Sequence, residues 1–583
     1  MLSAHRTSYA AILLFLLTRL IPGQAIKPAD EQKNAEIAER RSAVVTQLVS
    51  DADGLGLAEN RAMVFARVGT MLWKQDQKQA EAYFQRSVDE LVGAQSQAES
   101  EARNRANRSS YEFRVSQVIR SSVLLAIATN DAKFALESLY RTRTGPIQRA
   151  LTQFADPTPK IADLANVGAM TIRSELNLEQ RITRLAAEQD PAIAVRLLTE
   201  SLKRGISSET LSLLKKLFEK DPDSANSFAS DVLDQLNSSD LSNSSGNTDN
   251  LSLTLSILSD FIRDKKPDAK EIKFGDMQIR SLAGKLIAFT LSQDPRSAAG
   301  RIAAVIKIAQ KLAPSSVAAL KRLQKNGIPS GSANADPDVR KIIDSKATPA
   351  QMVNDAKSLV PADRAPVYQA AANRMAQYGD FNGASGLLNQ YFSGTALENA
   401  LAAANMAYAN YLIGKQKYAE AEDAIDDLPY DSKRLMLLNL ASSAYRTKPV
   451  ENRTLAVGVL RKVRSMMPDR PSNFYELFQF MQFAATYAPI DSDESFNCLE
   501  PLVPQLNELA DANAVVQGFQ DGGSVHLGEF VIGNSTYGFQ LDLGTIRALA
   551  KADLDRTQKL IDLFTRREIR ADLRLRLAES GLK

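Results

Sequence analysis

The sequence predicts an all-α protein, an α-solenoid or superhelix built from antiparallel helical hairpins. One observation behind this is that Asp-Pro recurs in a common frame, at Asp190-Pro191, Asp221-Pro222 and Asp294-Pro295. An Asp side chain accepts hydrogen bonds from the free N–H groups at a helix start, and Pro at the first helical position has the required φ and no N–H to leave unpaired. Each pair therefore predicts the start of a helix.

A second observation is the spacing of small and large residues that follows these starts. They recur three or four positions apart, as on one face of a helix, and small side chains let a second helix approach closely. The sets with this spacing are Ala80, Phe84 and Ser87; Ala132, Leu136 and Leu139, or a frame shifted to Ala135; Ala194, Leu198 and Ser201; Ala298, Ile302 and Val305; Ala384, Leu388 and Tyr391; Ala421, Ile425 and Leu428. Helical hairpins repeated in series predict a solenoid.

One hairpin carries a more specific pattern. Segment 365–391 has, in order, Tyr368, Ala371-Ala372, Met375, a turn at Gly379-Asp380, and Ala384, Leu388 and Tyr391. It resembles a tetratricopeptide-type repeat, segment 64–88 is similar to it, and segment 408–428 is a looser match. The chain departs from that family in its irregular repeat spacing and in the small Ala371 where the family has a larger residue. The resemblance implies a groove that binds protein and implies no catalytic residues.

The first 25 residues predict the compartment. Arg6, an apolar run over 10–17 and the ending Gly23-Gln24-Ala25 are typical of a signal peptide, with an uncleaved anchor as the alternative. No later stretch reaches the ~18 unbroken apolar residues that a transmembrane helix needs. We therefore expect an exported protein, periplasmic or extracellular, with no integral membrane segment after cleavage.

The charge balance limits the kinds of partner we expect, and the cysteine content limits the cross-links. Lys and Arg number 71 against 68 Asp and Glu, and removal of Arg6 and Arg19 with the signal peptide leaves 69 against 68, a net charge of +1. Such a balance gives no electrostatic reason to expect a nucleic acid as partner. Cys498 is the single cysteine, so no internal disulfide forms and ordinary packing must hold the fold.

Changes in composition divide the chain. The predicted parts are a signal peptide at 1–25, an N-terminal helical-hairpin array at 26–235, a Ser/Asn-rich loop at 236–250, a middle helical region at 251–325, a linker at 326–344, and a C-terminal helical-repeat region at 345–583 that contains a Gly-rich insert at 517–544.

The Gly-rich insert is the candidate recognition element. It holds seven glycines, and the alternation around Gly533-Asn534 favours a β-hairpin. Loops on rigid scaffolds often carry function, whereas the alternative is that the insert only covers the exposed end of the array. The candidate recognition residues are Phe519, His526, Phe530, Tyr537 and Phe539.

Catalytic chemistry is not apparent in the sequence. His5 leaves with the signal peptide, so His526 alone cannot build a histidine-rich metal site, and no cofactor motif is present. The acidic clusters at 51–60 and 491–497 are interpreted as solvated helix starts, and the basic runs at 140–149 and 566–576 as solvated helix faces.

These observations predict a non-enzymatic exported scaffold that binds a protein or peptide of the extracytoplasmic space. A structural assembly factor of the envelope differs from it only in its partner. The alternative from another class is a glycan-active enzyme, a lyase or hydrolase on a helical toroid, in which acidic residues with Tyr or Arg act on a sugar.

Overall fold

The computed structural model describes residues 28–104, 109–145, 147–148, 151, 169–239, 241, 248–263, 271–326, 337–518, 525–526, 528–532 and 543–580. The predicted signal peptide at 1–25 lies outside them. Within these ranges the chain is helical apart from one pair of two-residue strands, which confirms the all-α class.

The helices up to Asn326 follow one another with short connections. They are α1 (Pro28–Asp53), α2 (Ala58–Leu72), α3 (Gln77–Asn104), α4 (Ser109–Ala128), α5 (Ala132–Arg141), α6 (Ala169–Gln189), α7 (Pro191–Arg204), α8 (Thr210–Phe218), α9 (Pro222–Ser238), α10 (Thr248–Phe261), α11 (Asp276–Ser292), α12 (Pro295–Leu312) and α13 (Val317–Asn326), with a 3₁₀ turn at Pro314–Ser316.

The elements after Asn326 continue the pattern and include the two strands. They are α14 (Pro337–Ile343), α15 (Pro349–Ala356), α16 (Pro361–Gln377), α17 (Phe381–Tyr391), α18 (Gly394–Gly414), α19 (Tyr418–Asp426), α20 (Tyr430–Thr447), α21 (Arg453–Met466), α22 (Phe474–Tyr487), α23 (Ser492–Leu499), a 3₁₀ turn (Glu500–Leu502), α24 (Val503–Gly518), β1 (Val525–His526), β2 (Glu529–Phe530), α25 (Leu543–Ala552), α26 (Leu554–Asp562) and α27 (Arg567–Glu579).

The Asp-Pro pairs start helices as predicted. Pro191, Pro222 and Pro295 are the first residues of α7, α9 and α12. The Asp190 carboxylate accepts from the backbone N–H of Ala192 at 3.0 Å, and Asp221 caps α9 in the same way through Ser224. These caps satisfy N–H groups that a helix start otherwise leaves free.

The predicted apolar positions are buried, with one exception. All sets listed above lie in the interior except at Tyr391, which is 40 % exposed. The Tyr391 ring instead stacks on Tyr368, with ring centroids 3.9 Å apart. An aromatic ring with a polar edge packs well at such a boundary between core and solvent.

Helices pack on their neighbours in chain order. In the C-terminal region α16 packs on α17 and α18, α18 packs on α19 and α20, and α20 packs on α21 and α22. Small residues allow the close approach: a Cβ on Gly69 would lie 2.5 Å from the Phe84 ring. Gly379, with φ of +92°, forms the turn between α16 and α17, and a Cβ there would lie 2.6 Å from Tyr411.

Helices extend into two segments that the sequence predicted as a linker and a loop. Helix α14 lies inside the predicted linker at 326–344, because Pro337 starts a further helix as the other Asp-Pro pairs do. The predicted loop at 236–250 is shorter, since α9 extends to Ser238 and α10 begins at Thr248. Most residues between those two helices lie outside the described ranges.

The first and last described helices meet. Helix α27 packs against α1 and α2. A single hydrophobic core joins residues of the N-terminal helices, such as Leu48 and Phe65, with residues of the C-terminal helices, such as Phe530 and Ile569. Helices α7 to α13 bury a second core. This contact between the ends was not among the sequence predictions.

Candidate functional site

The described part of the Gly-rich insert is a small antiparallel pair. Val525 pairs with Phe530 and His526 with Glu529. The chain reverses beside Gly528, whose φ of +81° suits glycine. The hairpin predicted around Gly533-Asn534 lies outside the described residues, so it stays a prediction.

The segment after this reversal docks on the start of α2. Asn60 is fully buried and makes three contacts with it. Its Nδ2 donates to Glu529 Oε1 at 2.6 Å and to the Phe530 carbonyl at 2.7 Å, while its Oδ1 accepts from the Ile532 N–H at 2.8 Å. One amide side chain therefore joins two segments that are about 470 positions apart in the sequence.

Glu529 supplies the cap that α2 lacks locally. The N-cap residue Leu57 has no side chain that can cap. The Glu529 carboxylate accepts instead from the Gly56 N–H at 2.6 Å and the Leu57 N–H at 3.2 Å. Burial raises the pKa of Glu529, the nearby Glu568 adds to the rise, and the hydrogen bonds from Asn60 and the two N–H groups oppose it.

The basic run at 566–576 completes this junction, so its interpretation as a solvated face is wrong. Arg574 is buried and pairs with Asp51 of α1 and with Asp562. Arg567 donates to the Gly54 carbonyl at 2.9 Å. The interpretation of the 51–60 cluster as a solvated helix start is wrong too at Asp51, which lies near the end of α1 and takes part in this pairing.

The prediction that Phe530 is a recognition residue is wrong, because this residue is buried. Its side chain is fully buried, because it packs in the core that joins the chain ends, and so the ring is not available to a ligand. His526 has its backbone in β1, and its side chain lies outside the description. Phe519, Tyr537 and Phe539 lie outside the described residues and stay predictions.

A buried ionic cluster joins α4 and α6 through Arg143, which follows the end of α5. Glu175 accepts from Arg120 Nη1 at 2.7 Å and Nη2 at 3.1 Å, and from Arg143 Nε at 2.6 Å. Arg143 also pairs with Glu179, which pairs in turn with Arg204. The run at 140–149 is therefore not a solvated face at Arg143, whose side chain is buried.

The two arginines around Glu175 explain why this buried carboxylate is ionised. Burial alone would raise the pKa of Glu175, but the guanidinium groups of Arg120 and Arg143 together hold that pKa below its usual value. The carboxylate thus stays ionised, with its oxygens occupied by arginine. This arrangement supports a structural role.

A different surface lies on the first helices of successive hairpins. We define the α18–α22 face as the exposed side of α18, α20 and α22. On α22, the side chains of Phe474, Tyr475 and Phe478 are 51 %, 54 % and 46 % exposed, and Leu435 on α20 is 49 % exposed. The Tyr475 hydroxyl donates to Asp431 at 3.0 Å, which ties α22 to α20. Large exposed apolar groups that cluster are typical of an interaction surface.

Polar side chains continue the α18–α22 face. Asn439 Nδ2 donates to Asn410 Oδ1 at 3.0 Å, from α20 to α18. The Ser443 hydroxyl donates to Asn439 Oδ1 at 3.3 Å. The face thus combines aromatic rings with amide groups.

Sequence reasoning did not identify this face. The available signal was the segment 474–487, which carries more aromatic residues than one buried helical face can hold. The stripe containing Leu477, Phe480 and Ala484 is buried, and the stripe containing Phe474 and Phe478 remains outside.

The described residues contain no group of three or more His, Cys, Asp or Glu side chains placed to hold a metal ion. Across the same part of the chain, helices of sufficient length and apolar character to cross a bilayer do not occur. No protein-family model matches the sequence, and no curated protein is significantly similar to it.

Proposed function

We propose that the protein is an exported, non-enzymatic scaffold that binds a protein or peptide of the extracytoplasmic space. In this proposal its helical hairpins form an α-solenoid of tetratricopeptide-like units, and the ligand lies on the α18–α22 face. The observation that carries the proposal is the exposed aromatic stripe of Phe474, Tyr475 and Phe478. Phe and Tyr are enriched in the centres of protein interfaces, because they supply large contact area.

The packing order supports the choice of face. Since α18, α20 and α22 pack side by side, their outer sides adjoin. The bond from Tyr475 to Asp431 and the bond from Asn439 to Asn410 fix neighbouring helices relative to one another. A surface fixed in this way loses little side-chain freedom when a ligand binds.

Binding without catalysis is favoured by the engagement of three acidic side chains within the protein. Glu175 and Glu179 are held by arginine side chains, and Glu529 accepts N–H groups at the start of α2. A general acid or base must instead reach a substrate proton within hydrogen-bonding distance. These three acids therefore support the scaffold better than the glycan-active alternative.

The proposal is tested by affinity capture from the exported fraction of the producing organism with residues 26–583 as bait. The Phe474→Ser/Phe478→Ser variant should lose the captured partner while its circular dichroism and melting midpoint stay unchanged. Val450→Ser is the matched control, because Val450 is 92 % exposed outside this face. A partner retained equally by both variants would contradict the assignment of the face.

A third bait addresses the Gly-rich insert. Replacing the whole insert would remove Glu529 and Phe530 from the junction between the chain ends. Replacing only 533–540 with Gly and Ser leaves that junction in place. This variant should capture the partner as the unmodified protein does, and a loss of capture would return the recognition role to the insert.

A further inference from the structure

Arg434 on α20 is a buried residue, two of whose three guanidinium nitrogens lack a hydrogen-bond partner within the part of the chain that the structure describes. Its residue is 2 % exposed, and Nε and Nη1 have no hydrogen-bond acceptor among the described residues. Burying an unpaired charge is strongly unfavourable, because the charge loses its hydration and gains nothing in return.

Other buried or half-buried arginines in the protein have acceptors among the described residues. Arg120 and Arg143 bind the carboxylate of Glu175. Arg374 on α16 donates to the carbonyls of Ala347 at 2.7 Å and Ile343 at 2.8 Å. Among the described residues, Nε and Nη1 of Arg434 have neither kind of acceptor, which sets Arg434 apart from these arginines.

The neighbours of Arg434 on α20 are already engaged. Asp431 and Tyr430 lie one turn earlier on the same helix. Asp431 accepts the Tyr475 hydroxyl at 3.0 Å and makes no ion pair with Arg434. Tyr430 donates to the Met466 carbonyl at the end of α21.

Arg434 also adjoins the α18–α22 face. Leu435, the next residue, is exposed on that face. Because α20 and α22 meet at Asp431 and Tyr475, one further turn along each helix brings Arg434 level with Phe478. Arginine side chains are long and flexible, and changes of side-chain rotamer at an interface are common when a partner binds.

We propose that Arg434 is the anion subsite of the α18–α22 face and receives an Asp or Glu side chain of a bound peptide. This inference rests on the proposed function. The ligand is a peptide in which an acidic residue stands close to an aromatic or aliphatic one. The carboxylate accepts from the guanidinium in paired hydrogen bonds, and the apolar neighbour packs on Phe474 and Phe478.

The test is selection from a random dodecapeptide display library with the mature chain. Wild type should enrich peptides that combine an acidic residue with an apolar one. Arg434→Met should still enrich apolar residues but lose the acidic preference. Arg446→Gln, which removes an exposed arginine from the last turn of the same helix, is the control and should select as wild type does.

Affinities then quantify the subsite with two fluorescein-labelled peptides. The first is the strongest selected sequence, and the second is its twin with Gln for each Glu and Asn for each Asp. Fluorescence polarisation should show wild type binding the acidic peptide about tenfold or more tightly than the twin, since hydrogen bonds to charged groups are strong. Arg434→Met should bind both equally, and Arg434→Lys should recover part of the difference.

The outcomes separate this inference from the proposed function. Selection of apolar peptides without acidic enrichment would overturn the subsite and leave the binding face standing. An acidic preference that Arg434→Met retains would also overturn it. Failure of the folded wild type to enrich any sequence would overturn both proposals.

Discussion

Two regions of the molecule bury arginine in opposite ways. Between α4 and α6, Arg120 and Arg143 share the carboxylate of Glu175 and are fully enclosed with it. On α20, Arg434 is enclosed as deeply but has no acceptor at Nε or Nη1 among the described residues.

This difference in pairing indicates a structural role for the first region and a binding role for the second. A buried charge with its partner in place is destabilising to disrupt, because removal of one member leaves the other uncompensated. A buried charge without a partner lowers stability and retains its capacity to bind. We infer that the α4–α6 cluster holds its region together and that α20 is prepared for a ligand.

The largest expected effect is in the paired region. Glu175→Gln removes the negative charge between Arg120 and Arg143 and should lower the local free energy of unfolding by about 3–5 kcal/mol. Hydrogen exchange of the α4–α6 amides measures this loss. Glu200→Gln alters a solvated acid paired with Lys203 and should leave exchange unchanged. Equal exchange in both variants would remove the distinction between the two regions.

The next effect concerns the junction of the chain ends. Asn60→Ala removes the bonds to the Phe530 carbonyl and from the buried Ile532 N–H, which should destabilise the junction by about 3 kcal/mol. Increased exchange in α1, α2 and α27 would report it. Asn439→Ala removes an exposed amide from the α18–α22 face and should change exchange little. A junction that Asn60→Ala leaves intact would show that packing alone joins the ends.

Arg434→Met should stabilise the protein, whereas the two preceding substitutions destabilise it. Replacing an unpaired buried charge with an apolar side chain of similar length should raise the free energy of unfolding of the α18–α22 region by about 1–3 kcal/mol. Arg374→Met is the control, because it removes bonds to the Ala347 and Ile343 carbonyls and should destabilise. If both variants destabilise, Arg434 has an internal partner and the contrast with Arg120 fails.

The smallest expected effect is a pH dependence at Glu529. Its pKa in the folded protein is raised, chiefly by burial, so the folded junction binds a proton more readily than the unfolded chain does. The stability linked to this group is therefore present at low pH and is lost as the pH rises through the raised pKa. Protection of the Leu57 amide, corrected for intrinsic exchange, should be greater at pH 5 than at pH 7 in wild type relative to Glu529→Gln. The reverse order would contradict the sign of the shift.

Local features of the fold could be predicted from the sequence. The starts of α7, α9 and α12 depend on a capping Asp and the Pro that follows it, which a few adjacent residues determine. The buried sets depend on helical period, also a local property. The same reasoning missed α14, although its first residue, Pro337, stands in the same frame.

Features that depend on distant contacts could not be predicted. Glu529 was part of a presumed hairpin, but its role as cap of α2 requires a partner segment about 470 positions away. Arg574 was interpreted as solvated because its partner, Asp51, lies at the other end of the chain. The α18–α22 face could not be predicted because it depends on how three helices pack. That packing determines which aromatic residues stay exposed.

Photo-cross-linking tests the central claim, that ligand lies on the α18–α22 face, most directly. Benzoylphenylalanine replaces Phe478, Val450 or Phe519 in turn, and each variant is irradiated with the strongest peptide from the display selection. The account predicts a cross-link from position 478 and none from position 450 or position 519. A cross-link from position 519 with none from position 478 would contradict it and place recognition in the Gly-rich insert.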